Sequence, residues 1–279
     1  MIDVMRREIK TSNFRCSWSY THSVGTVFLQ TSGAPLSPML EKFFLNTVLT
    51  EDDRAAIMAL PFSLHSYNPG KHIIKDRAIS ADFQALVSGF AIAYKTTSDG
   101  FRQIVGFLLP GDIINIQHMR LIDDDCSVQA TMPCMVAVID ETLIRNLMSK
   151  RLTISNAIMA SALIEASISR EWIVNIGRRN ARARIAHLFC ELATRLDPCG
   201  LAQGQAFKLP LTQQQIGDAV GLTAVHVNRT IKGLIKDSIL EQDQHLISFP
   251  NWDLLKKVAG FNDRYLHLDK RITALGHYQ

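Results

Sequence analysis

A chain of 279 residues, 47% of them apolar, is long enough for two domains with full cores, and wholesale disorder is excluded. No apolar run reaches the roughly 18 residues of a membrane span, and Arg6, Arg7, Glu8 and Lys10 lead into no apolar segment of the signal-peptide kind, so a cytoplasmic protein with no membrane partner is expected. The five cysteines (Cys16, Cys126, Cys134, Cys190 and Cys199) are odd in number and scattered, matching neither a disulfide framework nor a paired zinc spacing.

The net charge of +4 is unevenly spread. Residues 178–279 carry 14 basic against 9 acidic side chains, whereas residues 1–177 carry 16 against 17. A basic C-terminal third on a neutral body suggests a polyanion partner held at one end.

Residues 1–36 show no clear period and include TSGAP, which reads as a loose N-terminal arm. Ser37 before Pro38, and Thr50 before Glu51, Asp52 and Asp53, read as two helix N-caps. From Ser63 to Asp140 short runs rich in Val, Ile, Phe and Tyr alternate with turn residues. FAIAYKTTSDGFRQIVGFLL reads as a hairpin turned at Gly100, and Pro69-Gly70 and Pro110-Gly111 punctuate further strands. A compact antiparallel sandwich or barrel is expected here.

From Thr153 to Ile176 there is neither proline nor glycine until Gly177 marks an expected break. Ile164, Ile168, Trp172 and Ile176 follow at i+4 and share a helix face, with Leu163 beside them. Alanines and serines at intervals allow close helix approach. The helix is apolar over more than one packed face requires, so burial on two sides is expected, by its own strand-rich domain and by a partner helix. The alternative is a core helix of a single chain. RRNARARIAHLFCELATRL then starts a new basic helix, and DPCGLAQGQ reads as a loop.

LTQQQIGDAVGLTAVHVNRTIKGL, from Leu211 to Leu234, carries the densest signal. A DNA-binding helix-turn-helix needs a small residue inside its first helix, a glycine at the tight turn and apolar contacts between the helices. Gly221 fits the turn and Gly217 the close approach. Ile216, Val220, Leu222 and Val227 fall at contact positions, with Thr230 at one further contact and Ile231 beside it. The second helix exposes Thr223, Ala224, His226, Asn228, Arg229 and Lys232. Asn and Arg suit adenine and guanine edges, and Lys suits phosphate. Thr212 reads as the first helix's N-cap, with Gln214 placed for a phosphate contact. ILEQDQHLISFP offers two short strands about DQ, a wing. The unit reads as a winged helix-turn-helix.

LVSGFAIAYKTTSDGFRQIVGFLLPGD and the Leu211–Leu234 stretch together resemble the Crp–Fnr family of bacterial transcription regulators over roughly residues 40–250. The resemblance implies an α+β chain with an N-terminal antiparallel β-roll sensor domain of cyclic-nucleotide-binding type, a long dimerisation helix and a C-terminal winged helix-turn-helix. It implies a homodimer on a palindromic promoter site in double-stranded DNA, with RNA polymerase as a further partner. The expected division is an arm over 1–36, the sensor over 37–140, the dimerisation region over 141–177, the DNA-binding domain over 178–250 and an extension over 251–279.

Two departures bear on specificity. Arg229 matches the family's arginine on the second helix, but Val225 stands where a glutamate is common, so the preferred site should differ. Gly111-Asp112 match the cyclic-nucleotide pattern, but Asn115 and Ile116 replace its Gly-Glu, and Asp124 falls at the phosphate-binding arginine. With Asp123, Asp124 and Asp125 there, and only Arg120 nearby as a cation, cyclic AMP and cyclic GMP are not expected ligands. A single N-terminal cysteine, Cys16, does not suit the iron–sulfur cluster of the family's oxygen sensors. His22, His65, His72, His118 and Cys126 are residue types that ligate haem, though a lone His is more often a surface or core residue. Cys190 and Cys199 are candidate oxidation switches, and buried inert thiols are expected of Cys190 and Cys134.

No phosphate-cradling glycine loop, His-x-x-x-His pair or serine nucleophile elbow is present, so no enzyme is expected. Asp123–Asp125 reads as a solvated loop rather than a metal site, because consecutive acids do not share a face. No metal or cofactor is expected, and the effector is unknown. The alternative function is a β-roll module acting as a cyclic-nucleotide- or haem-responsive sensor.

Overall fold

The computed structural model describes residues 35–78, 82–119, 121, 125–199, 202–203 and 206–268. All but the last two residues of the expected arm, together with Arg120, Asp123 and Asp124, lie outside them.

Two short helices come first, α1 (Ser37–Asn46) and α2 (Glu51–Met58). Ser37 is the first helical residue rather than the cap. Leu36 holds the cap position without a side-chain bond and is buried in the core instead. Thr50 caps α2 reciprocally, its hydroxyl accepting from the Asp53 N–H at 3.1 Å while the Asp53 carboxylate accepts from the Thr50 N–H at 3.0 Å. Asp53 also accepts from Arg151 at 3.0 Å and Thr153 at 2.7 Å, tying this cap to the start of the long helix. Burial pushes the Asp53 pKa up, but these bonds outweigh it and hold it at about 2.

Seven strands follow: β1 (Ser63–Tyr67), β2 (His72–Ile74), β3 (Asp82–Ser88), β4 (Ala91–Thr96), β5 (Arg102–Leu108), β6 (Ser127–Ala130) and β7 (Cys134–Asp140). They form two antiparallel sheets, ordered β1-β7-β3 and β2-β6-β4-β5. β4 and β5 are the hairpin expected from the sequence, with Gly100 at φ 83°. Ile73, Ile74, Leu86, Val128 and Val136 belong to one buried cluster of the roll. The PGD turn is held from two sides. Gly111 has φ 89°, and a Cβ there would lie 2.3 Å from the Pro38 carbonyl of α1. Asp112 accepts from the Leu109 N–H at 2.7 Å and from Lys42 of α1 at 2.5 Å. In this chain the Gly-Asp pair therefore docks α1 on the roll.

α3 (Glu141–Lys150) leads into α4 (Leu152–Arg178), a helix of 27 residues. The expected break at Gly177 comes two residues later, where Arg179 turns extended and Asn180 caps α5 (Ala181–Leu196) by accepting from the Ala183 N–H at 3.0 Å. Among the described residues α4 alone is long and apolar enough to cross a membrane by composition, with a mean hydropathy of 1.3 over 18 residues. It also carries Glu165, Arg170 and Glu171.

The two sides of α4 differ from the expectation. Trp172 is only 7% exposed and faces its own chain, with its ring edge-on to Phe107 of β5 at 5.1 Å. Ile168 packs against the same cluster, and Ile176 lies near Gly221. Ile168 and Trp172 of the i+4 stripe thus pack on the chain's own core, and Trp172 does not face outward. The outward stripe is Met159, Leu163, Ala166, Ile173 and Gly177, spaced 4-3-7-4, with Arg170 filling the longer interval. Leu163 is 62% and Ile173 71% exposed. At about 100° per residue this stripe lies nearly opposite Ile168 and Trp172. Two stripes at helical spacing exist in the sequence, and only the packing shows which is covered.

Among the described residues beyond α5 are β8 (Ala202–Gln203), β9 (Ala206–Lys208), α6 (Gln213–Val220), α7 (Ala224–Lys236), β10 (Glu241–Asp243), β11 (Leu246–Ser248) and α8 (Trp252–Ala259). The wing is one sheet ordered β10-β11-β9-β8, so the expected loop around Ala202 supplies an edge strand. Residues 252–268, expected as an extension, include core positions: Leu255, Ala259 and Leu266 are buried. The core is continuous between the units, since Phe90, Ile92, Ile104 and Phe107 of the roll share one buried cluster with Trp172, α5, α6 and α7.

Candidate nucleic-acid interface

The crossing of α6 and α7 depends on two glycines. Gly221 closes α6 in the left-handed region at φ 67°, and its N–H donates to the Gly217 carbonyl. A Cβ on Gly217 would stand 2.3 Å from the Leu222 carbonyl. Gly217→Ala is therefore expected to cost about 2 kcal/mol as the turn shifts. Thermal unfolding and DNA affinity should fall together in this variant; unchanged values would show that the turn yields freely.

Each helix start is capped from its own sequence. The Thr212 hydroxyl accepts from the Gln215 N–H at 3.2 Å, and the Gln215 side chain accepts from the Thr212 N–H at 2.8 Å. The Thr223 hydroxyl caps α7, accepting from the His226 N–H at 3.3 Å. At the far end of α6 the Arg184 guanidinium donates to the Val220 carbonyl at 3.1 Å. Ile216, Val220 and Val227 are buried between the helices and Leu222 is partly so. Ile231, rather than Thr230, fills the last contact. Thr230 donates its hydroxyl to the His226 carbonyl at 2.8 Å.

The outer face of α7 forms a shallow concavity with the start of α6, lined by Gln213, Ala224, Val225, Asn228, Arg229 and Lys232. Arg229 and Lys232 are exposed and form no ion pair among the described residues. Four of the expected DNA-facing residues, Ala224, Asn228, Arg229 and Lys232, come together here. Thr212 and Thr223 are caps at the adjoining helix starts, and Gln214 is exposed but donates to Asp218 at 2.7 Å. His226 lies outside the set, because two residues beyond Ala224 the helix has turned about 200°. Gln213 and Val225 line it as well, although neither was among the expected contact residues.

This face is braced from the sensor side. Arg102 of β5 donates to Asp218 of α6 at 2.7 Å, and Gln103 donates to the Ala219 carbonyl at 3.3 Å. Beneath lies a buried polar junction. Glu191 of α5 accepts from the Trp172 indole at 3.0 and 3.1 Å, from the Tyr265 hydroxyl at 2.8 Å and from Arg195 at 3.2 Å. Arg195 also donates to the Phe107 carbonyl at 2.9 Å and to Asp112 at 3.4 Å. Burial pushes the Glu191 pKa up, and Arg195, Tyr265 and Trp172 oppose it. Next to it His187 stacks on Tyr265, and burial followed by the charge of Arg179 lowers its pKa to about 3, so it stays neutral.

The described residues of the roll that were compared with the cyclic-nucleotide pattern are engaged within the roll itself. The Asn115 side chain is buried and committed to β3, accepting from the Gln84 N–H at 2.9 Å and donating to the Asp82 carbonyl at 2.6 Å. Ile116 packs partly against the core, and Asp125 pairs with Lys95 at 2.7 Å. His65 bonds Ser63 at 3.0 Å and His72 bonds Tyr94 at 2.7 Å. Among the described residues no group of three or more His, Cys, Asp or Glu is placed to hold a metal ion. Burial pushes the thiols of Cys134 up to about 11 and Cys190 to about 12, and raises that of Cys199. That is the opposite direction from a reactive thiolate.

Residues 183–258 match the Crp-like helix-turn-helix domain, and residues 64–151 match the cyclic nucleotide-binding domain. The chain is 31% identical over 204 residues to the transcriptional activator protein FnrL of Cereibacter sphaeroides, covering 71% of this chain and 81% of that one. It is 29% identical over 170 residues to the nitrogen fixation regulation protein FixK of Bradyrhizobium diazoefficiens, covering 60% and 70%. The fold is similar to that of FixK2 from Bradyrhizobium japonicum, with a TM-score of 0.67 and 24% identity over 73% of this chain and all of that one.

Proposed function

The chain belongs to the Crp–Fnr family of transcription regulators, and from that premise we propose that it acts as a cytoplasmic homodimer on a two-fold symmetric promoter site in double-stranded DNA, with RNA polymerase as a further partner. Residues 37–140 form the sensor, 141–177 the dimerisation region and 178–250 the DNA reader, braced by residues 252–268. The observation that carries the reading is the outer face of α7, where Asn228, Arg229 and Lys232 stand together without ion pairs to the rest of the described chain. Arg229 takes a guanine edge and Lys232 a phosphate.

The outward stripe of α4 is the dimer seam, where a symmetric partner covers Met159, Leu163 and Ile173. The charges of Glu165, Arg170 and Glu171 favour this over a lipid environment. Cyclic nucleotides and an iron–sulfur cluster are not part of the control, given the commitments of Asn115 and the single N-terminal cysteine.

The test uses sites selected by the full chain from a random duplex library. Arg229→Ala is expected to lose about 1–3 kcal/mol on the selected site and to relax preference at one base pair per half-site. Lys232→Ala should weaken selected and random DNA alike and flatten the salt dependence. Equal loss on both DNAs for Arg229→Ala would remove its base-reading role.

A further inference from the structure

Val225 is 79% exposed on the concave face, beside Ala224 and next to Asn228 and Arg229. A single exposed valine ordinarily needs no explanation. This one stands on the helix assigned to the major groove, so a base edge is what covers it there. Thymine alone offers an apolar group on that edge, its C5-methyl. Against cytosine the same valine would strip water from the N4 amino group and give it no acceptor.

Gln213 supplies an independent observation. Its side-chain oxygen accepts from the Asn228 amide nitrogen at 3.0 Å, linking the start of α6 to α7. One amide hydrogen of Asn228 and its oxygen remain for the N7 and N6 of adenine. A side chain oriented before binding loses less freedom on contact. From Val225 to Arg229 the helix rises about 6 Å, less than two base-pair steps of roughly 3.4 Å, so these residues address neighbouring pairs.

We propose that Val225, with Ala224 beside it, reads a thymine methyl, and that Gln213 is a positioning residue that holds Asn228 to read an adenine. Each half-site then carries A·T pairs beside the guanine taken by Arg229. The inference rests on α7 being the groove-entering helix.

The full chain first selects sites from a random duplex library, and each thymine of the selected half-site is then replaced by uracil, which lacks only the methyl. One replacement is expected to weaken binding about fourfold, the value of one methyl-sized contact, and Val225→Ser should abolish that difference. Gln213→Leu should lower the preference for adenine at one position about tenfold, read as the ratio of affinities for duplexes that differ only at that pair. Gln213→Glu can only accept a hydrogen bond, so it should keep the adenine preference while its charge weakens binding to all DNA. Indifference to every uracil, or an effect that survives Val225→Ser, overturns the thymine reading. An adenine preference intact in Gln213→Leu overturns the positioning role. Failure of the wild-type chain to select any sequence would instead remove the DNA-reading assignment beneath both.

Discussion

Replacing Leu163 and Ile173 together by glutamate is expected to give a folded monomer that no longer holds its site. Both side chains are mostly exposed on the outward stripe of α4 and belong to no buried cluster of their own chain. The unfolding midpoint of the isolated subunit should therefore change little. In a dimer, however, the pair would bring four carboxylates into a seam that excludes water, an arrangement that costs several kcal/mol for each unpaired charge. Loss of the partner removes the second half-site from reach, and tethered binding of this kind contributes on the order of 10²–10⁴ in affinity. Sedimentation and titration of a two-half-site duplex read both effects. A double variant that remains dimeric would show that the seam lies elsewhere. The contrasting variant is Trp172→Glu, which strikes the buried face and should unfold the chain rather than separate it.

Glu191→Ala is expected to cost about 3–5 kcal/mol of folding stability, the range for breaking a buried charge network by removing one partner. Three donors converge on this carboxylate from three parts of the chain: Trp172 of α4, Arg195 of α5 and Tyr265 beyond α8. Alanine leaves the Arg195 guanidinium with Asp112 at 3.4 Å as its remaining acidic partner, and leaves the buried indole and phenol without their acceptor. Glu191→Gln keeps an acceptor oxygen for the indole and removes the charge, so a smaller loss is expected. Urea unfolding followed by tryptophan fluorescence measures both. A cost below about 1 kcal/mol for the alanine variant would mean that water enters and replaces the network.

The sensor strands and the helix-turn-helix were legible in the sequence because their signals are local. Gly100 and Gly111 sit where the backbone needs positive φ, Thr50 and Thr212 cap helices within four residues of themselves, and Gly217 and Gly221 fix one crossing. The same locality misled at Ser37, where Pro38 marks a helix start but not which residue caps it. His226 was grouped with the reading face because it is polar, although helical rotation carries it to the flank. Val225 was read only as the loss of a carboxylate and not as a contact of its own, and Gln213 was left out although Thr212 and Gln214 beside it were named.

Amino-acid order by itself determined the roll's main hairpin, the caps of α2 and α6, the turn between α6 and α7 and the basic face of α7, since each depends on hydrogen bonds and torsions spanning a few residues; it did not give α3, β8, α8 or the end of α4. Only the tertiary structure decided which stripe of α4 is covered, that Trp172 bonds Glu191 nineteen positions away, that Arg102 braces α6, and that residues 252–268 complete the core. An apolar stripe records that a face must leave water, but not what covers it; that depends on contacts between segments distant in the chain, which local periodicity does not encode.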